Sequence, residues 1–152
     1  MNLKCYFSHP VRSRGIYGEQ RIMDIIKSRR VEVINSYDKD IGVSMKYTPG
    51  SYSYWRTIWT ENIKQMDKCN IALFWLPEKF EISGCFAELQ HIVEYQNRIM
   101  RRNIHLNVDE QEPYLIQIIT RLRNPIIAWA LCYNNQLYDN IEDFEKFRQT
   151  KW

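Results

Sequence analysis

Six residues near the middle of the chain, Ser83-Gly84-Cys85-Phe86-Ala87-Glu88, combine a turn former, a hydroxyl and a single carboxylate. They follow the apolar run Ile71 to Trp75, which is closed by Leu76-Pro77, and from Cys85 to Asn97 the apolar residues recur three or four apart. A buried strand leading into a helix puts the intervening turn at the mouth of an open parallel sheet, where such sheets bind ligands. The spacing places Glu88 in the first helical turn, where the peptide dipoles favour an ionised acid. An ionised carboxylate held in that position is a nucleophile, and Glu88 is the leading candidate for that role. Its bland alternative is a solvated acid at a helix N-terminus.

The elements that must position this turn follow from periodicity. Leu3–Phe7 reads as a first strand, Ser8–Gly15 as a polar loop that Pro10 keeps from becoming helix, and Gly18–Arg29 as a helix carrying Ile22, Ile25 and Ile26 on one face. Val31–Ile34 is then a second strand, which completes a βαβ unit. Asn35–Ser53 is rich in turn formers and long for a plain connection, which suggests a functional loop or an extra hairpin. Tyr54–Cys69 reads as helix. Beyond the Glu88 helix, Asn103–Val108 reads as a weak fourth strand, Pro113 as the start of a helix to about Arg123, Pro125–Leu131 as a fifth strand, and the segment with Ile141, Phe144 and Phe147 as a short amphipathic helix. Alternating strands and helices imply an α/β fold with a parallel sheet and right-handed crossovers.

Composition narrows the function classes. The 152 residues suit a single domain spanning 1–152, and a net charge of +3, with scattered positives, is too thin for a nucleic-acid footprint. No apolar run approaches the ~20 residues of a membrane span and no signal-peptide pattern opens the chain, so a cytoplasmic protein is expected. Cys5, Cys69, Cys85 and Cys132 form no C-x-x-C pair, and His9, His91 and His105 share no ligand spacing, so neither a metal site nor a cofactor is expected. Cys5, Cys69 and Cys132 lie in or beside apolar runs and read as small buried residues.

Taken together, Cys5-Tyr6-Phe7-Ser8-His9-Pro10-Val11-Arg12, the strand Asn70–Phe74 and Gly84-Cys85-Phe86-Ala87-Glu88-Leu89 resemble the nucleoside 2-deoxyribosyltransferase superfamily, which includes the deoxynucleoside 5′-monophosphate N-glycosidases. The resemblance runs from end to end. It implies a three-layer, flavodoxin-like (Rossmann-like) sheet of five mostly parallel strands in the order 2-1-3-4-5. It also implies a glutamate nucleophile four residues after a glycine, matched by Gly84 and Glu88, and a tyrosine ending the first strand, matched by Tyr6, whose hydroxyl would align the carboxylate. The implied chemistry is retaining displacement, in which the carboxylate attacks the anomeric carbon and the sugar passes to water or another base. A nucleoside or nucleotide would be the small-molecule partner, and the pocket would be completed by a second subunit in a homodimer or higher assembly.

Ser8, His9, Arg12, Ser83 and Gly84 are the further candidates for binding such a substrate, with Tyr47 and Tyr52 in the long loop placed to stack on a planar base. Trp55 and Trp59, four apart, read more simply as core. His9 reads equally as packed in its turn, and Arg12 as an ordinary loop charge.

The chain departs from the family at instructive places. The aspartate that would protonate the leaving base is Asn62 here, and the aspartate of the third strand is Asn70. An amide is no general acid. Glu61, one residue away, faces another direction on a helix. The loop expected after strand four reads Val108-Asp109-Glu110-Gln111-Glu112, acidic enough to repel a phosphate and so to favour a free nucleoside. Two other functions stay open: a binding module of the same fold that has lost turnover, which Asn62 and Asn70 support, and, through Cys85-Phe86-Ala87-Glu88-Leu89, a likeness to Toll/interleukin-receptor domains that cleave NAD.

Overall fold

Cys5, Tyr6 and Phe7 are each fully buried, and they divide between two separate cores. The first strand is therefore covered on both faces, as the middle of a parallel sheet must be. The computed structural model describes residues 2–35, 50–111, 114–133 and 135–147. Its elements are β1 (Lys4–Ser8), α1 (Tyr17–Ser28), β2 (Glu32–Asn35), α2 (Tyr52–Met66), β3 (Ile71–Trp75), α3 (Ser83–Asn103), β4 (Leu115–Ile119), α4 (Pro125–Leu131), β5 (Gln136–Tyr138) and α5 (Ile141–Lys146). All described strand pairs are parallel, in the order β2-β1-β3-β4-β5.

The order carries the sheet's functional consequence. Ile22, Ile25 and Ile26 of α1 and Phe144 of α5 pack on one face with Cys5, Phe7, Ile71 and Leu73. On the other face Met66 of α2, Cys85, Leu89, Ile92 and Val93 of α3, and Ile127 and Ala130 of α4 pack on Tyr6, Ala72, Phe74 and Ile116. The chain thus moves from one face to the other between β1 and β3, whose register pairs Tyr6 with Ala72 and Ser8 with Phe74. At such a switch point the loops diverge and leave a crevice beyond the strand ends.

The first three strands fall where periodicity puts them, and the last two do not. The segment Asn103–Val108 is the end of α3 followed by a turn, not a strand; α3 is 21 residues long and its amphipathic face runs through Gln96 and Ile99. The expected helix after Pro113 is instead β4, whose Leu-Ile-Gln-Ile-Ile carries a single polar residue. The expected strand Pro125–Leu131 is α4, started by Asn124, whose side chain accepts from the Ile127 N–H at 3.0 Å with Pro125 opening the first turn. Short apolar runs do not distinguish a buried strand from a buried helix, and here the N-cap decides.

This shift moves a charge argument. The acidic stretch Val108–Glu110 precedes β4, and the residues that follow β4 are Thr120-Arg121-Leu122-Arg123-Asn124. The acids expected to repel a phosphate therefore stand before β4, and Arg121 and Arg123 follow the strand. Cys132 is also corrected: it is exposed, whereas Cys5, Cys69 and Cys85 are buried.

Candidate active site

Glu88 is 6% exposed and lines a cavity of about 370 Å³ beyond the ends of β1 and β3. Helix α3 delivers it. The helix starts at Ser83, so Glu88 is its sixth residue and stands past the first turn, one turn later than its sequence spacing implies. The dipole of the helix end therefore acts on it weakly, because that influence fades within the first turn. A different acid serves the helix start: Glu81 Oε1 accepts from the Ser83 N–H at 2.7 Å and from the Ser83 hydroxyl. Those two donors hold the Glu81 carboxyl below its ordinary pKa.

One partner of the Glu88 carboxylate is an amide. Asn62 Nδ2 donates to Glu88 Oε1 at 3.3 Å across the gap between α2 and α3. Asn62 is itself 6% exposed, and it ends a stripe on α2 that runs Trp55, Ile58, Trp59, Asn62, all of which face the cavity. Spacings of three and four put these side chains on one side of the helix. The remaining wall is Pro10 from the loop after β1, with Glu81, Ser83, Gly84 and Cys85 from the start of α3. Cys85 keeps its proton: burial, with Glu88's charge second, pushes the thiol up to about 12.

The sequence-level candidates divide accordingly. Glu88, Asn62, Ser83 and Gly84 meet at the cavity. A methyl group added at Gly84 would touch nothing within 4 Å, so this glycine borders open space. Tyr6 is fully buried in the core cluster that also holds Cys85 and Leu89, behind the cavity wall and not on it. Ser8 is buried beside the Cys85 thiol.

His9 belongs to a buried polar cluster: Nδ1 meets Ser13 Oγ at 2.8 Å, and Nε2 meets Asn35 Oδ1 at 2.8 Å and Glu19 Oε2 at 3.1 Å. Burial lowers the histidine's pKa from its ordinary value, against the opposing influence of Asn35 and Glu19. The cluster ties the turn that carries Pro10 to α1 and to the end of β2, which makes His9 a support of the cavity rim. Arg12 is exposed and does not line the cavity, and neither does Tyr52, which is 85% exposed. Tyr47 lies outside the described residues. Asn70 sits at the far end of β3, where its side chain accepts from the Lys4 N–H at 3.1 Å.

Trp55 and Trp59, read from the sequence as core, form the aromatic wall instead. Trp55 is 53% exposed and stands edge to face with Tyr54, and Trp59 stands edge to face with His91. The signal that finds them is the stripe itself, since it leads along α2 to Asn62. A second cavity, of about 390 Å³, lies beyond β3, β4 and β5 between Trp75, Thr120 and Ile141. Of the acids on its wall, Asp139 pairs with Arg123, Glu142 pairs with Arg21, and Glu78 is exposed. The cavity with a buried carboxylate at its floor is the better candidate for chemistry.

No protein-family model matches this sequence, and no curated protein matches it. The coordinates do match a solved structure, the 2-deoxyribosyltransferase from the psychrotolerant bacterium Bacillus psychrosaccharolyticus, with a TM-score of 0.68 over 95% of this chain and 92% of that one. The fold is that of a 2-deoxyribosyltransferase. At 10% identity the likeness concerns the path of the backbone. That enzyme is described as a biocatalyst for the synthesis of nucleosides. Among the described residues no helix is long and apolar enough to cross a membrane.

Proposed function

We propose that the chain breaks or exchanges the N-glycosidic bond of a nucleoside or related N-glycoside, with Glu88 as nucleophile. The observation that carries this reading is a buried carboxylate, oriented by an amide, at the floor of an aromatic cavity on the switch point of this fold. A Glu88 oxygen forms a bond to the anomeric carbon while the carbon–nitrogen bond breaks and its electron pair leaves with the base. Water or a second base then attacks the same carbon and releases the carboxylate, so configuration is retained overall. Trp55 and Trp59 hold the base by its faces. Tyr6 acts from behind the wall as a positioning residue.

Base release followed by chromatography tests the reading on a panel of nucleosides and N-glycosides. Glu88→Ala removes the release while circular dichroism stays that of the parent; release that survives in the variant overturns the assignment. In the same reading the enzyme is cytoplasmic and works as a homodimer, and sedimentation measures the assembly.

A second reading has one specific support. Asn62 stands against Glu88 where a proton donor would serve a departing neutral base, so a module that binds a nucleoside without cleaving it also fits. Calorimetric binding without base release from any member of the panel selects it.

A further inference from the structure

The cavity's chemistry restricts what can leave. A neutral purine or pyrimidine departs as an anion unless a proton reaches it in the transition state, and supplying that proton is worth about 10²- to 10⁴-fold in rate. The described wall holds no group fit to supply it. Asn62 offers only an amide N–H, and it is directed at Glu88 Oε1 at 3.3 Å. Glu81 is fully exposed and held ionised by its two bonds from Ser83. Cys85 is too weak an acid, with its thiol pushed up to about 12.

The wall is also built to attract charge of one sign. Its described residues include two carboxylates, Glu81 and Glu88, and two indoles, Trp55 and Trp59, with no lysine, arginine or histidine among them. The buried Glu88 carboxylate in a concave site, with exposed Glu81 at its rim, favours a positive charge, and indole faces attract cations.

We infer that the preferred substrate is an N-glycoside whose leaving base already carries a positive charge, such as a pyridinium or an N7-alkylated purine glycoside. This rests on the reading of Glu88 as nucleophile. The electron balance then closes without an acid. A Glu88 oxygen bonds to the anomeric carbon, the carbon–nitrogen pair passes to the ring nitrogen, and the base leaves neutral. Water next attacks the anomeric carbon, the ester oxygen leaves as the Glu88 carboxylate, and the water's surplus proton goes to solvent. The indoles hold the cationic base until its charge is quenched by bond cleavage, after which the neutral product is held less tightly and departs.

The test uses the intact protein with nicotinamide riboside and 7-methylguanosine, each beside a neutral counterpart, uridine and guanosine, with spontaneous decay subtracted. Release from the cationic pair should exceed release from the neutral pair by about 100-fold or more, the worth of the missing acid. Equal or faster release from the neutral pair overturns this inference and leaves the Glu88 reading standing; release from neither pair, or release that persists in Glu88→Ala, overturns both. Binding supplies an independent readout through tryptophan fluorescence. The 1-methylnicotinamide cation should bind about tenfold more tightly than neutral nicotinamide, and Trp55→Ala should shrink the difference. Equal affinities in the parent protein overturn the inference.

Discussion

Asn62 Nδ2 stands 3.3 Å from Glu88 Oε1, and both side chains are 6% exposed. An amide and a carboxylate meet here where the resemblance places two acids. Replacing the amide by an acid restores that arrangement. In Asn62→Asp two carboxyl groups compete within hydrogen-bonding distance, so the pair retains one proton near neutral pH. That proton is available to a departing base. Cleavage of neutral nucleosides should rise in Asn62→Asp by about tenfold or more, within the range a positioned acid contributes, and acquire a descending alkaline limb in its rate profile. Asn62→Ala removes the orienting bond without adding an acid and should lower turnover on every substrate. A fall in both variants alike would show that Asn62 only orients.

The aromatic wall should matter for binding far more than for folding. Trp55 is 53% exposed, so Trp55→Ala should cost less than about 1 kcal/mol of stability, while weakening ligand binding through the lost stacking face. KM rises and kcat changes little, because the residue grips the base in the ground state at least as tightly as in the transition state. Trp55→Phe, which keeps a ring face, recovers most of the loss. A kcat defect of the same size as the KM change would place Trp55 closer to the reacting atoms.

How far these features were legible in the sequence depended on the kind of signal. Strands β1 and β3 are flanked by prolines and turn residues, and both were found with nearly their true limits. Asn103–Val108 and Pro125–Leu131 have an apolar content compatible with either period, and at the second the Asn124 cap marks a helix. At the site, the Gly84 to Glu88 spacing identified the acid, yet it misplaced the helix start, since Glu81 caps from outside the helix. Trp55 and Trp59 read as core because an i, i+4 aromatic pair is ordinarily buried; nothing local reports that α2 leaves this face open to the crevice. The polar cluster around His9 joins residues up to 26 positions apart and has no local pattern at all.

That cluster should be a cooperative support of the rim. Glu19 is 5% exposed, with Oε2 at 3.1 Å from His9 Nε2 and Oε1 accepting from the Gly15 N–H at 3.1 Å. His9→Ala strips a partner from a buried acid and opens a gap beside Phe7, for a cost of about 3 kcal/mol or more. The double change His9→Ala with Glu19→Ala should cost less than the sum of the single changes, by about 1 kcal/mol or more. Urea unfolding of the four proteins measures the coupling, and strict additivity would mean that the two side chains act separately.

A close approach across the opposite face gives a sharper structural test. A Cβ added to Gly18 would lie 2.6 Å from Trp75 Cη2 and 2.7 Å from Cζ2, with Ile141 Cδ1 at 3.4 Å. The indole is rigid and Trp75 terminates β3, so relief requires α1 or the strand end to move. Gly18→Ala should destabilise by about 1 to 3 kcal/mol, although alanine is the better helix former. Pairing it with Trp75→Phe, which removes the clashing ring, should return part of the loss. The same substitution at Gly84, where a Cβ meets nothing within 4 Å, should leave the denaturation midpoint close to that of the parent.

Three buried thiols, together with the buried phenols of Tyr114 and Tyr138, destabilise the fold at alkaline pH. Cys69 and Cys85 are each pushed up to about 12 from an ordinary 9.0, chiefly by burial, and Cys5 is raised in the same direction. Each thiol binds its proton more tightly folded than unfolded, so between about 9 and 12 the unfolded chain holds fewer protons and stability falls as pH rises. Below 9.0 both states keep these protons and the three thiols contribute no slope. Urea midpoints should therefore be level in their thiol contribution from pH 7 to about 9 and then decline, and Cys69→Ala, which removes one such thiol, should shallow the decline. Alkylation separates the exposed cysteine from the rest: iodoacetamide at pH 8 should label Cys132 within minutes while Cys5, Cys69 and Cys85 react only as the protein unfolds. Rapid labelling of Cys85 in the native protein would mean that the cavity wall opens to solvent, and a bound ligand that slows it would place that ligand directly over the Glu88 site.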